Sequence, residues 1–561
     1  MTIDTDVIII GGGPVGQTAA IDLHARGISS VIVERRRYLE PPNVKCNHVS
    51  SRTMERFRQL GLAEEVRNAG LPADYPQDVA FRTTLTGWEI GRIPIPARRD
   101  RYTSRTGPDT SWATPEPPHR INQTFLEPIL QKHASSLPGV TVLWESEFRR
   151  YEQTEDGVLA VVTDLDGGNE RVIRGRFLIG ADGGRSLVRK QMGARLSGDA
   201  VLQSVQSTCI RAEGLYELAG GDRAWSYYIY NERRCGHIYA IDGREVFLVH
   251  NYLADGESSE SVDRDRAIRT ILGVGDDFSY EVVSKEDWVA RRLVVDKLRE
   301  GNVFLAGDAA HLWVPYAGYG MNAGIADVLN LTWSLAAVLD GWAGVRMLDA
   351  YQAERLPITD QVSRFAMGHQ RKVALSRIPA HLEAHTEEGA RERAALGQAA
   401  YELNVQQFAA EGLNYGYVYD RSPIISYDGE AAPSYSMGDY TPSTVPGTRA
   451  PHFWLADDVS LYDELGLGYT LLALGDTAAA EPLMAAARDA NLPLKLIAVA
   501  DGVAPDVYRE AYVIVRHDQH IAWRGQIIPH DPNHLIDILR GAAPHLTTAL
   551  GVVEEPTSVP A

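Results

Sequence analysis

The stretch DVIIIGGGPVGQTAAIDLHARGISSVIVERR, Asp6 to Arg36, constrains the fold more than any other part of the chain. Val7 to Ile10 is an unbroken apolar run, the pattern of a parallel strand covered on both faces. Gly11, Gly13 and Gly16 follow with GxGxxG spacing, and Pro14 takes the first position of a helix that runs to Gly27. The three glycines serve a tight turn, close backbone approach to a pyrophosphate, and close helix–strand packing. The helix start then presents unpaired N–H groups to the phosphates. A second apolar run, Val31 to Val33, ends in Glu34, 23 residues after Gly11. An acid there accepts hydrogen bonds from a ribose diol and repels a 2′-phosphate, so the unit reads as a site for FAD or NAD, not NADP. Arg35 beside it is a further cofactor-side candidate.

At 561 residues the chain is long enough for two or three domains. Its net charge of −19 argues against nucleic acid and anionic membrane surfaces as partners. The three cysteines, Cys46, Cys209 and Cys235, form no CxxC pair, and nothing has the spacing of a metal site. No apolar run approaches bilayer-spanning length and no signal-peptide pattern is present. The expectation is a cytoplasmic protein without a membrane segment.

Two later stretches repeat the grammar of apolar run, acid and glycine. RFLIGADGGRSLVRK ends its run at Ile179 and continues with Asp182-Gly183, which alone is an ordinary turn pair. VFLAGDAAHLWVPYAGYGMNAGIADVLNLTWSL places Asp308 between a run at Val303 to Ala306 and an amphipathic helix that starts near Met321 and ends at Gly341. A helix N-cap is the plainer role for that acid.

Taken together, the three stretches resemble the fingerprints of the class A flavoprotein aromatic monooxygenases, which share the p-hydroxybenzoate hydroxylase fold. The resemblance spans most of residues 1 to 360 and includes MLDAYQAERLP after the third motif. It implies FAD as cofactor and an α/β fold: a Rossmann-type FAD-binding domain, an antiparallel substrate sheet and a C-terminal thioredoxin-like domain. It implies that Asp308 bonds the ribityl chain, that Pro315 to Asn322, with Gly320 and Met321, wrap the isoalloxazine, and that Gln123 and Asp182 also serve FAD. The family commonly has an arginine where this chain has Lys45, which keeps the charge but loses the bidentate fork. Ala317 stands where a glycine is usual.

The expected division is 1–190 for the first FAD-binding segment, with early substrate-sheet strands near 79–103; 191–286 for the substrate sheet; 287–400 for the third motif and its helices; and 401–561 for the thioredoxin-like domain. That last domain has no CxxC, so packing or oligomerisation is its expected job. The segment WSYYIYNERRCGHIYAIDGREVFLVHNYL reads as successive antiparallel strands turning at Asp242-Gly243. Trp225, Tyr227, Tyr239 and Arg244 are its pocket candidates, equally readable as core or surface.

The resemblance implies a phenol-type hydroxylase. NAD(P)H, with NADPH weakly favoured, reduces FAD, and O2 forms a C4a-hydroperoxyflavin that oxygenates a small aromatic substrate. Asn47 and His48 are placed near the flavin, and His48 is the candidate base for the phenolic proton, against a structural histidine. His311 reads as support for the flavin loop. Open alternatives are a polyketide or polycyclic tailoring monooxygenase, a Baeyer–Villiger variant, and a flavin-binding protein without catalysis. A homodimer or larger assembly is expected.

Overall fold

Val7 to Ile10 are almost wholly buried, as an apolar run without alternation requires. They belong to strand β1 (Thr2–Ile10), the middle of a parallel array. On one side lie β2 (Ser30–Val33) and β3 (Val140–Leu143); on the other lie β4 (Glu170–Gly180) and then the short strand Val303–Leu305. The computed structural model describes residues 2–42, 44–110, 112–312, 318–374 and 377–543. Each of the three motifs recognised in the sequence follows one of three adjacent strands: β1, β4 and Val303–Leu305. Their loops therefore leave the sheet along one carboxyl edge, where α/β sheets bind ligands.

Helix α1 (Pro14–Ala25) follows the first loop, α2 (Leu187–Met192) the second and α3 (Tyr319–Leu339) the third. α3 starts after Gly318 in the left-handed region (φ 62°) and ends just before Gly341 (φ 80°). Among the described residues it is the helix with the length and composition to cross a membrane, but 78% of its apolar window is buried inside the protein. It is a core helix. It crosses α1, and Thr332 Oγ1 donates to Asp22 Oδ2 at 2.5 Å.

The second sheet is mainly antiparallel. Its centre runs β5 (Leu196–Arg211), β8 (Val246–Tyr252), β7 (Gly236–Ala240), β6 (Ser226–Ile229), and the hairpin Val79–Arg82/Glu89–Ile93 extends it beyond β6. β9 (Trp288–Val295) also pairs with β5. The expected boundary after residue 286 therefore needs correction, because it separates β9 from its sheet. β5 is 16 residues long; β8 covers only one end of it, and β9 pairs with the stretch that extends beyond.

Two further helices, α4 (Asp349–Ala374) and α5 (Glu387–Phe408), lead away from the third motif. α5 packs closely on the substrate-sheet hairpin: a Cβ at Gly397 would sit 1.6 Å from the Ile90 carbonyl oxygen. The C-terminal sheet has the order β11 (Leu494–Ala498), β10 (Tyr469–Ala473), β12 (Tyr512–Arg516), β13 (Ile521–Gly525). The parallel pair is joined through α6 (Glu481–Asp489), two antiparallel strands follow, and α7 (Pro532–Leu539) closes the unit in thioredoxin-like order. Its core runs into α3, with the Trp333 and Tyr469 rings 5.7 Å apart.

Candidate active site

The glycine loop is built by exclusion. Gly11 has φ 105°, and a Cβ there would lie 2.3 Å from the Ala181 carbonyl oxygen in the loop after β4. A Cβ on Gly16 would lie 2.0 Å from the Gly11 carbonyl oxygen. Around Gly13, by contrast, nothing lies within 4 Å of a built Cβ, so backbone N–H groups and the start of α1 at Pro14 face open space. That shape fits a pyrophosphate.

At the end of β2 the Glu34 carboxylate accepts from the Gly12 N–H at 2.6 Å and from Arg36 Nε at 3.1 Å. Arg36 also donates to Glu127 at 2.8 Å, and Gln123 donates to the other oxygen of Glu127. Arg35 requires correction. Its side chain is 72% exposed and lies 3.8 Å from Glu147 on the strand Ser146–Thr154. The chain bends after β2, and Arg36, not Arg35, turns back to Glu34, its N–H and Nε both donating to the carboxylate.

The two acids after β4 and after Val303–Leu305 differ in their surroundings. Asp182 accepts from the Leu187 N–H at 2.7 Å, the Val188 N–H at 3.2 Å and the Ser186 hydroxyl, and so caps α2. Burial pushes its carboxyl above the ordinary range against those bonds. Arg189 of α2 donates to the Ala309 carbonyl at 2.9 Å and ties this loop to the next. Asp308 borders an open cleft, although protein surrounds it closely enough to push its carboxyl up; His311 and Lys45 oppose that shift. His311 itself is bonded to Asp327 of α3 at 2.8 Å.

The cleft continues into a cavity of about 710 Å³ between the third loop and one face of the substrate sheet. Lys45, Cys46, Asn47, His48, Asp308 and Gly318 form one end. Asn322, nearly fully buried at the start of α3, fixes this end by accepting from the Ser50 N–H and donating to the His48 and Gly318 carbonyls. Asn47 accepts from Asn122. Lys45 pairs with Glu286 at 2.7 Å. Burial raises the Cys46 thiol to about 11. Gly320 and Met321 lie in the first turn of α3, while Pro315 and Ala317 fall outside the described residues.

The sheet face supplies an aromatic wall. Tyr228 stacks on His237 at 4.0 Å, His237 lies 4.2 Å from Tyr239, and Trp225 lies 5.3 Å from Tyr239. Tyr227 takes the alternate face, its hydroxyl accepting from the Ala224 N–H at 2.7 Å. Arg244 is the second correction. It is exposed at the hairpin tip, where Asp242 gathers the N–H groups of Arg244, Glu245 and Val246, away from the mid-strand face that lines the cavity. The sequence reading missed His237 and His250. Burial holds both imidazoles below their usual range, His250 at about 4, so both are neutral near neutral pH. Alternation along β7 and β8 was the available signal.

A family of FAD-binding domains matches residues 4–366, and the C-terminal family of aromatic-ring hydroxylases matches residues 443–543. The chain belongs to the FAD-dependent aromatic-ring monooxygenases. It is 30% identical to phenol 2-monooxygenase of Pseudomonas sp. (strain EST1001), over 96% of this chain and 93% of that one. A putative polyketide hydroxylase of Streptomyces halstedii is 29% identical, with 93% of each chain covered. The rebeccamycin biosynthetic enzyme RebC, solved with reduced flavin, superimposes with a TM-score of 0.88 at 33% identity, covering 97% of this chain and all of that one. This monooxygenase therefore uses FAD, NAD(P)H and O2 on an aromatic substrate.

Proposed function

We propose that the chain hydroxylates a polycyclic phenol, larger than a single ring, in the cavity between the substrate sheet and the third loop. The observation that carries this reading is the cavity's volume of about 710 Å³. An apolar cavity of about 150 Å³ already accepts benzene. The flavin ring would take the end at Asp308 and Gly318, and the substrate the length along the sheet face. Relatives named for phenol and for polyketides bracket the substrate, and the length of the aromatic wall favours the larger.

When bound, FAD would supply the redox and oxygenating chemistry. The protein's part is placement. Gly11, Gly13, Gly16 and Pro14 would hold the pyrophosphate, Glu34 with Arg36 the adenosine ribose, Asp308 the ribityl chain, and the start of α3 at Gly320 to Asn322 the ring. Gln123 positions Glu127, and Asp182 holds the second loop in shape. Trp225 and Tyr239 would lie against the aromatic substrate, and His48, with Asn47 beside it, would accept its phenolic proton. NADPH as reductant and a cytoplasmic homodimer complete the reading.

The test compares phenol with 1-naphthol and 1-hydroxyanthraquinone as stimulants of NADPH oxidation by the FAD-loaded protein, using isotopically labelled O2. The fused-ring phenols should speed oxidation more than phenol and carry the label into product. Equal or better coupling with phenol would reassign the substrate to a single ring.

A further inference from the structure

Four cations reach the cavity wall: Lys45, Arg120, Arg233 and Arg234. Three have a carboxylate of their own. Lys45 pairs with Glu286 at 2.7 Å, Arg233 with Glu383 at 2.7 Å, and Arg234 with Glu257 at 2.7 Å. Arg120 differs. Its side chain is 3% exposed, and it shares the single carboxylate of Asp109 with another buried arginine, Arg101. Arg101 holds that carboxylate at 2.9 Å and Arg120 only at 3.2 Å. Two buried cations against one anion leave a surplus positive charge beside the cavity. Glu411 also feels Asp109, but burial and the acids Asp109 and Asp439 push its carboxyl up to about 7, so near neutral pH it compensates only in part.

The guanidinium is held in place but incompletely used. Its Nη2 donates to Asp109 and to the Phe408 carbonyl at 3.2 Å, and its carbon lies 5.0 Å over the Trp225 ring. Its Nε has no hydrogen-bond partner among the described residues. A buried donor left unmade is costly, and one on a charged group more so. From this geometry we infer that Arg120 binds an anionic oxygen on the aromatic substrate, a ring carboxylate or a phenolate, while Trp225 lies against the same ring system. Arg101 and Asp109 are positioning residues that hold the fork rigid. The inference rests on the proposal that the aromatic substrate occupies this cavity.

The test is binding to the FAD-loaded protein near neutral pH, read from the visible spectrum of the flavin, and it requires no turnover. The probes are 2-naphthoate, its neutral amide and 2-naphthol. The unaltered protein should bind the naphthoate, or the ionised naphthol, at least about tenfold more tightly than the amide, the scale of one charge-assisted hydrogen bond. Arg120→Gln should abolish that preference while amide affinity and FAD content hold, and Arg120→Lys should keep part of it. A carboxylate site favours naphthoate and leaves the naphthol pKa unshifted; a phenolate site lowers the pKa of bound naphthol. Should Arg120→Gln fail to fold, the anion-to-amide ratio in the unaltered protein and in Arg120→Lys still decides. No preference for either anion, no binding of either, or equal losses of anion and amide in Arg120→Gln would overturn the assignment. Fused-ring phenols that are still hydroxylated in that event would leave the proposed function standing.

Discussion

Asp182 and Asp308 end adjacent strands of one sheet, and their partners separate what each substitution should do. Asp182 is spent on capping α2, whereas Asp308 makes no hydrogen bond among the described residues and borders the cleft. Asp308→Ala should weaken FAD binding at least about tenfold, from about 1.5–3 kcal/mol for a lost charged hydrogen bond. It should leave apoprotein stability unchanged or raised, because a carboxyl pushed up by burial is relieved. Asp182→Ala should cost the apoprotein about 1 kcal/mol as a lost cap. FAD titration beside urea unfolding of both apoproteins checks this, and equal unfolding midpoints with equal FAD affinities would contradict it. Glu411 gives a pH signature. Its folded pKa of about 7 lies above the ordinary 4.5, so the folded state holds the proton more tightly and loses stability as pH rises between those values. Glu411→Gln should therefore raise the melting temperature increasingly from about pH 4.5 to 7, with the gain levelling off above. A gain that is flat with pH would show that Glu411 does not carry the shift.

Helix α3 gathers the third loop through one side chain. Asp327 accepts from the Gly307 N–H at 3.1 Å, His311 at 2.8 Å and Arg355 at 3.0 Å, and these partners hold its carboxyl below the usual range despite full burial. Asp327→Asn would leave Arg355 buried without its charge partner, at about 3–5 kcal/mol. Chemical denaturation should show that loss together with weaker FAD retention; a variant within 1 kcal/mol of the unaltered protein would remove Asp327 from this role. The helix itself was legible in the sequence. Apolar residues at helical spacing and Gly341 placed its end, and the glycines and acids placed three loops that the sheet then brings to one edge. Arg36 was missed because the bend after β2, which the apolar pattern does not mark, decides which of two adjacent arginines turns back to Glu34. Arg120 was missed because it lies in a loop whose place over Trp225 is set by tertiary packing, whereas His237 and His250 sit opposite each other on consecutive strands, where alternation was the only local signal.

At the scale of the whole molecule, the C-terminal unit is tied into the FAD domain by buried charge. Arg516 of β12 donates to both oxygens of Glu354 on α4, at 2.8 Å for the Nη2 bond, with both side chains fully buried. Arg449 donates at 2.6 Å to Glu55 of the helix Ser51–Gln59, while Gln519 donates to the other carboxylate oxygen at 3.0 Å. The Arg449 guanidinium also lies 3.9 Å from the Tyr415 ring centre. Such pairs add little net stability when intact, but each partner is costly to leave alone in the interior. These contacts pack the C-terminal unit against the FAD domain. Arg449→Met and Glu55→Gln should each cost about 3–5 kcal/mol, and the double variant less than their sum by about 0.5–3 kcal/mol. Removing residues 443–543, the segment matched by the C-terminal family, would strand Glu55 and Glu354 together and open the apolar contact of Trp333 with Tyr469. The truncated chain should accordingly fail to retain FAD or to stay in solution. In the intact holoprotein, heating should release flavin and unfold the C-terminal unit in one transition, read by flavin fluorescence and by hydrogen exchange of the backbone amides of β10 to β13. Two separated transitions, or strictly additive losses in the double variant, would mean that the units are merely adjacent and that the buried pairs do not join them.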